Sequence, residues 1–392
     1  MTMTTAPTLP YYPQGFLSVA QNLGIKDTTL DFTVIYSTVR AAAAGMFTQS
    51  LFCGAPIIVG REHLADGYAQ ALVINSKNAN VATGQRGVDY AREISRLVAA
   101  ELQIAPQDVI PSSTGVIGHQ LPIEKFRHGI AGLRARLRPD ALGLAAQAIM
   151  TTDTRPKLIA KRVGNAVLAG MAKGAGMIEP NMATMLAFLL TDAAIPAATL
   201  RPMLRQAVEQ SFNMVSVDTD TSTSDTTILL ANGLAGEVNL RAFQAALDEV
   251  CIYLAKEVAR DGEGASKLLE VVVSEARDQQ QAKRIAKAVV NSPLVKTAVY
   301  GADPNWGRVS MAIGKCHEEI DVQPDKVNII FGETCVFAKG EPQDVDLDAL
   351  KTYLQGKEIR IAITLGIGNG HATVWGCDLT EGYVQVNALY TT

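Results

Sequence analysis

Two β-type runs, Lys157–Val163 and Ala166–Gly170, flank Gly164-Asn165, and this pattern limits the possible folds more tightly than any other stretch of the chain. A two-residue loop suited to positive φ predicts a β-hairpin, which makes its strands antiparallel neighbours. The second strand delivers Met171-Ala172-Lys173-Gly174, and a loop then leads to Ala183-Thr184 and the apolar run Met185–Leu190. Such pairing argues against a doubly wound parallel sheet. Apolar residues recur at helical spacing over Val88–Leu102, Leu200–Val215, Leu240–Val258 and Gln279–Val290. Short β-type runs lie between and after them, at Ala71–Ile74, Thr226–Ala231, Leu268–Val273, Val327–Phe331 and Ile359–Leu365. The chain is an α/β mixture.

The charged, glutamine-rich stretch Ala276–Lys283 marks the expected boundary between a larger part, 1–276, and a C-terminal part, 277–392. The elements beyond it are short: Leu294–Tyr300, Leu347–Leu354 and a final strand Tyr383–Tyr390 resemble a small α+β unit. At 392 residues, 48% hydrophobic and only 19% charged, the whole describes a compact folded protein and not a disordered one. The formal charge of −4, with Lys and Arg spread along the chain, leaves no basic footprint for nucleic acid or anionic lipid, so a small-molecule partner is expected. Neither a signal-peptide pattern nor an apolar run of membrane-spanning length is visible, and a cytoplasmic location is expected. The five cysteines and five histidines are scattered without CxxC, HExxH or HxH spacing, so neither disulfides nor a metal are expected.

Three stretches imitate ligand loops. Gly366-Ile367-Gly368-Asn369-Gly370 follows a β-type run, but His371–Gly376 after it looks like another strand and not the helix a dinucleotide turn must open, so a hairpin turn is expected. Asp218–Asp225 starts with carboxylates at alternate positions, yet lacks the sixth-position glycine and has Leu229 where a calcium loop needs glutamate; it reads as a hydroxyl-rich turn that satisfies its own backbone. Gly262–Lys267 ends in lysine without matching GxxxxGK[ST].

Thr184 stands at the mouth of the apolar run, directly behind Ala183. A threonine hydroxyl needs a base to become a nucleophile, and an N-terminal threonine carries one in its own α-amine, whose pKa is roughly 7.7–8. Exposing that amine requires the chain to be cut before it. Gly174, Gly176 and Pro180 supply a flexible or strained approach, Ala183 a small neighbour, and Met185–Leu190 a fixed framework. An ordinary threonine at the start of a strand fits the same features.

The stretches Asn78–Gly84 (NANVATG), Ser112–Gly118 (SSTGVIG), Ala148–Lys157 (AIMTTDTRPK), Met171–Leu186 (MAKGAGMIEPNMATML), Asp218–Thr226 (DTDTSTSDT), Asp261–Val271 (DGEGASKLLEV), Asn291–Arg308 (NSPLVKTAVYGADPNWGR) and Cys377–Thr392 (CDLTEGYVQVNALYTT) together resemble the ornithine acetyltransferase, or ArgJ, family. The likeness spans nearly the whole chain. It implies an αββα sandwich with a smaller C-terminal α+β domain, related to self-cleaving aminopeptidases. It implies autoproteolysis between Ala183 and Thr184, nucleophilic Thr184, and ping-pong transfer of acetyl from N-acetylornithine to glutamate without a cofactor. The α and β pieces of the precursor would stay associated, as α2β2 or higher. Thr114 and Gly115 resemble the family's oxyanion hole. Thr151 (beside Thr152 and Thr154), Lys173, Thr184, Glu263, Asn387 and Thr392 resemble its substrate-binding set, with Lys173 suited to a carboxylate and Glu263 to the ornithine ammonium. The alternatives are a bifunctional enzyme that also uses acetyl-CoA, a related hydrolase with water as acceptor, and an uncut binding protein with Thr184 in its core.

Overall fold

The computed structural model describes residues 7–179 and 185–389, which form two sheets with helices packed around both. The first sheet contains β1 (Phe16–Gln21), β2 (Phe32–Phe47), β3 (Tyr68–Asn75), β4 (Val109–Ser113), β5 (Lys157–Val163), β6 (Ala166–Lys173), β7 (Leu186–Ala193) and β8 (Thr226–Gly236). Its spatial order is β4-β3-β2-β8-β7-β6-β5, with β1 on the first part of β2. The expected hairpin is present: β5 and β6 pair antiparallel up to Val163 and Ala166, and Gly164 takes φ 61° in the turn. β6 and β7 are antiparallel as well, while β7–β8 and β3–β4 are parallel.

The 16-residue β2 joins two halves of this sheet. Its register against β3 shifts between Tyr36 and Ala41, and only its last six residues pair with β8. Side chains alternate faces along each strand, which sorts them into separate cores. Ile35, Leu72 and Ile74 from one half meet Phe188, Leu190, Ile228 and Leu230 from the other in one cluster. The opposite face of β3, at Ala71 and Val73, packs under the helices Gly84–Leu102 and Ile123–Ile130. The opposite face of β7, at Ala187 and Leu189, packs under the helices Ala197–Gln210 and Leu240–Arg260. Helix, sheet, sheet, helix is the αββα sandwich implied by the resemblance.

The second sheet contains β9 (Leu268–Ala276), β10 (Asn328–Phe331), β11 (Thr334–Ala338), β12 (Glu341–Pro342), β13 (Glu358–Thr364) and β14 (Gly370–Cys377), in the order β12-β11-β10-β13-β9-β14. Its apolar face continues the cluster that holds the helix Leu240–Arg260, so the two sheets share packing through that helix. Gly366–Gly370 is not a hairpin turn: β9 lies between β13 and β14, parallel to one and antiparallel to the other. The glycine loop passes over the end of β9, where the Ile367 and Gly368 N–H groups donate to the Glu275 carbonyl at 2.8 and 3.0 Å. An earlier, strongly apolar strand takes the slot that sequence neighbours would have filled. The expected final strand Tyr383–Tyr390 is instead a helix, Glu381–Leu389, followed by Tyr390 outside the described residues. Its half-buried residues Gly382, Tyr383 and Val386 recur at helical spacing, and a helix hides that stripe against the body without a sheet edge to join. Among the described residues no helix is long and apolar enough to cross a membrane.

Candidate active site

β6 is buried along its whole length and ends at Lys173, 9% exposed. From there Lys173 Nζ donates to Thr114 Oγ1 at 3.1 Å and to Thr151 Oγ1 at 3.0 Å. Thr114 directly follows β4, and its N–H donates to the Asn75 carbonyl. The next residue, Gly115, has φ +129°, and a Cβ there would stand 2.2 Å from the Lys77 carbonyl carbon. Only glycine fits so close to a second backbone. Gly115→Ala is therefore expected to displace the Lys77 segment and destabilise the fold by about 1–3 kcal/mol, read from thermal unfolding.

A buried ion network holds Thr151 and Lys173 in place. Lys157 Nζ lies 2.6 Å from Asp153 Oδ1 and 2.6 Å from Asp261 Oδ2, and all three side chains are buried. Asp153 also accepts the Thr151 N–H at 3.0 Å and the Gly174 N–H at 2.6 Å. Burial opposes its charge, yet the Lys157 and Lys173 ammoniums and these donors hold its carboxyl well below the usual range. Burial drives the Lys173 pKa down, with Asp153 as the main opposing charge.

Glu263, 8% exposed, follows the helix Leu240–Arg260, and its N–H donates to the Ala175 carbonyl. Its neighbours are glycines for a steric reason. A Cβ on Gly176 would meet Glu263 Oε2 at 2.3 Å, and one on Gly264 (φ +68°) would meet the Tyr383 nitrogen at 2.3 Å. The terminal helix thus docks on Gly264, and Asn387 Nδ2 donates to Glu263 Oε2 at 2.8 Å.

Thr114, Gly115, Thr151, Lys173, Glu263 and Asn387 all line one cavity of about 210 Å³. Residues far apart in sequence converge there. Ala183, Thr184 and Thr392 lie outside the described residues. The chain re-enters at Met185, which lines an adjoining cavity together with Thr114 and Lys173.

The wall also holds Asp218, Asp220 and Tyr383, which sequence reasoning did not single out. Asp218–Asp225 does more than satisfy its own backbone. Asp218 accepts the Met177 and Ile178 N–H groups, each at 2.7 Å, and so clamps the segment that leads towards Thr184. Burial raises the Asp218 pKa against those donors. Burial and then the Asp218 charge push the Tyr383 phenol up to about 12, so it stays a neutral donor. The alternate-position carboxylates were the available signal. Among the described residues no cluster of His, Cys, Asp and Glu is placed to hold a metal ion.

A lysine, carboxylates and hydroxyls around a small cavity suit a zwitterionic ligand and acyl chemistry. The family model described as the ArgJ family matches residues 18–392. The chain is 54% identical to the arginine biosynthesis bifunctional protein ArgJ 2 of a Nostoc species, over all of both chains. It is 49% identical to the glutamate N-acetyltransferase Oat2 of Streptomyces clavuligerus, over 98% of this chain and 99% of that one. A crystal structure of the arginine biosynthesis bifunctional protein argJ from Bacillus halodurans superposes with a TM-score of 0.51 at 41% identity, covering 53% of this chain and 100% of that one. By the family model over residues 18–392 and by relatives matched over nearly its whole length, this chain belongs to the ArgJ family.

Proposed function

We propose that the protein is a glutamate N-acetyltransferase that moves acetyl from N-acetylornithine to glutamate through an acetyl ester on Thr184, after its chain has been cut between Ala183 and Thr184. The observation that carries this reading is the convergence of Thr114, Thr151, Lys173, Glu263 and Asn387 on one cavity in a member of this family.

The described side chains around the cavity suit this chemistry. An ammonium has donors only, so Thr114 and Thr151 must accept from Lys173 and keep their own O–H protons for another partner. Thr114 O–H, with the Gly115 N–H, can then stabilise the oxyanion that forms when Thr184 Oγ adds to the acetyl carbonyl. Lys173 retains a third donor for the substrate carboxylate. Glu263, oriented by Asn387, meets the ornithine side-chain ammonium. Ornithine departs, and the glutamate amine attacks the ester from the vacated place. The facing charges of Lys173 and Glu263 favour an amino-acid acceptor over water. On this reading 1–276 carries the catalytic part and 277–392 the C-terminal part, and the enzyme works in the cytoplasm as associated α and β pieces.

Mass spectrometry of protein quenched during turnover with N-acetylornithine alone tests the proposal. An acetyl group on Thr184 is expected, and an acetyl group elsewhere refutes the mechanism. Glu263→Gln should lower kcat/KM for N-acetylornithine by roughly 10–150-fold, the range of a lost charge-assisted hydrogen bond, with a smaller change for donors lacking a side-chain ammonium. Acetyl-CoA in the same assay shows whether a second donor also loads Thr184.

A further inference from the structure

Asp225 has no role in the transfer just described, yet it is buried as few carboxyls are. It is 1% exposed, and among the described residues neither carboxyl oxygen has a hydrogen-bond partner. The Ser222 hydroxyl is near enough to favour its charged form but out of bonding geometry. An unpaired buried carboxyl is costly and calls for an explanation.

Its place in the sheet suggests one. β7 and β8 are parallel with Leu186 beside Thr226, and the Thr226 N–H donates to the Met185 carbonyl at 2.8 Å. The register therefore sets Asp225 beside Met185, one peptide bond after Thr184. Both Asp225 and Met185 line a cavity of about 20 Å³, with Thr114, Lys173 and Ser224 among its other walls. That volume accommodates about one water.

The cut before Thr184 poses a chemical problem. Afterwards the α-amine of Thr184 can serve as base, but beforehand the same nitrogen is an amide and cannot. Some other group must take the hydroxyl proton. Among the described residues the cavity has two titratable walls, Lys173 and Asp225. Lys173 Nζ is already engaged with the Thr114 and Thr151 hydroxyls, whereas both Asp225 oxygens lack a hydrogen-bond partner among the described residues.

Resting on the self-cleavage reading above, we propose that Asp225 is the proton shuttle of chain cleavage. Its carboxylate takes the Thr184 Oγ proton as Oγ bonds to the Ala183 carbonyl carbon. It returns that proton to the Thr184 nitrogen as the C–N bond breaks, leaving an ester. Water then adds to the ester carbon; its hydroxyl stays on Ala183 as the new carboxyl, and its proton restores the Thr184 hydroxyl. Burial raises the Asp225 pKa well above the ordinary value, against the Ser222 hydroxyl and the Lys173 ammonium, which makes the carboxylate a stronger base than an exposed aspartate. Lys173, facing it from β6, is itself influenced by Asp153, Lys157 and Glu263.

The test uses the full chain made by cell-free synthesis, with cleavage followed over time by denaturing electrophoresis and mass spectrometry from pH 4 to pH 9. Wild type should be cut between Ala183 and Thr184, at a rate that climbs through one ionisation well above the ordinary aspartate pKa of about 3.9. Asp225→Asn, close to isosteric, should fold with an unchanged or higher Tm and cleave at least about 10²-fold more slowly, without that pH limb. If the variant does not fold, the wild-type profile still decides, because a flat profile overturns the shuttle. An Asp225→Asn chain cut at the wild-type rate refutes the proposal while leaving the cleavage reading intact. A wild-type chain that is never cut at that bond refutes both.

Discussion

Thr184→Ala is expected to run as one uncut chain on a denaturing gel and to transfer no acetyl, where wild type gives two pieces of 183 and 209 residues. One hydroxyl would account for both losses. In the precursor it attacks the carbonyl before it, and in the mature enzyme it carries the acetyl group. Covalent catalysis divides a difficult transfer into two easier ones, and removing the nucleophile removes both. The variant should keep the wild-type near-UV spectrum, since alanine only deletes a small polar group. A Thr184→Ala chain that is cut and active would refute the assignment outright.

Lys157→Met should produce the largest loss of stability of any single change beneath the cavity, about 3–5 kcal/mol, because it strands two carboxylates in the interior. Asp153 and Asp261 both bond Lys157 Nζ, and Asp153 also anchors the Thr151 and Gly174 N–H groups. Denaturant unfolding of both proteins measures the difference, and a change below about 1 kcal/mol, the worth of an exposed pair, would show that the network is not desolvated. The sign of its pH dependence follows from Asp153. A carboxyl held below its unfolded value stabilises the fold fully above about pH 4 and loses that contribution as the pH falls. The gap between wild type and variant should therefore narrow in acid.

Local chemistry made some elements legible in advance. The Gly164-Asn165 turn, the long helices and the apolar strands beside Thr184 each follow from a pattern within a few residues. β2 carries a mixed local signal: Phe32–Tyr36 favour a strand, but Arg40-Ala41-Ala42-Ala43-Ala44 have poor strand preference. Ala42–Phe47 pair with β8, and Ala41, Ala43 and Ala44 are buried, so tertiary context overrides propensity there. The glycine loop after β13 has a hairpin's local pattern, and no local signal announces that a strand from about ninety residues earlier lies between its two flanks. Likewise the terminal helix looked like a strand until the body supplied a surface for Tyr383 and Val386.

By itself the sequence determined the chemistry on offer: a threonine behind a small residue, a lysine at the end of a buried strand, and a glutamate between glycines. It also determined the motif order that marks the family, since covalent order survives without coordinates. Only the tertiary structure decided that Lys173 would bond Thr114 and Thr151, that Asp218 would clamp the approach to Thr184, and that Asp225 would be left unpaired beside Met185. The physical reason is that hydrogen bonds and burial depend on distances between segments far apart along the chain, and those distances exist only once the sheets have paired and the cores have closed.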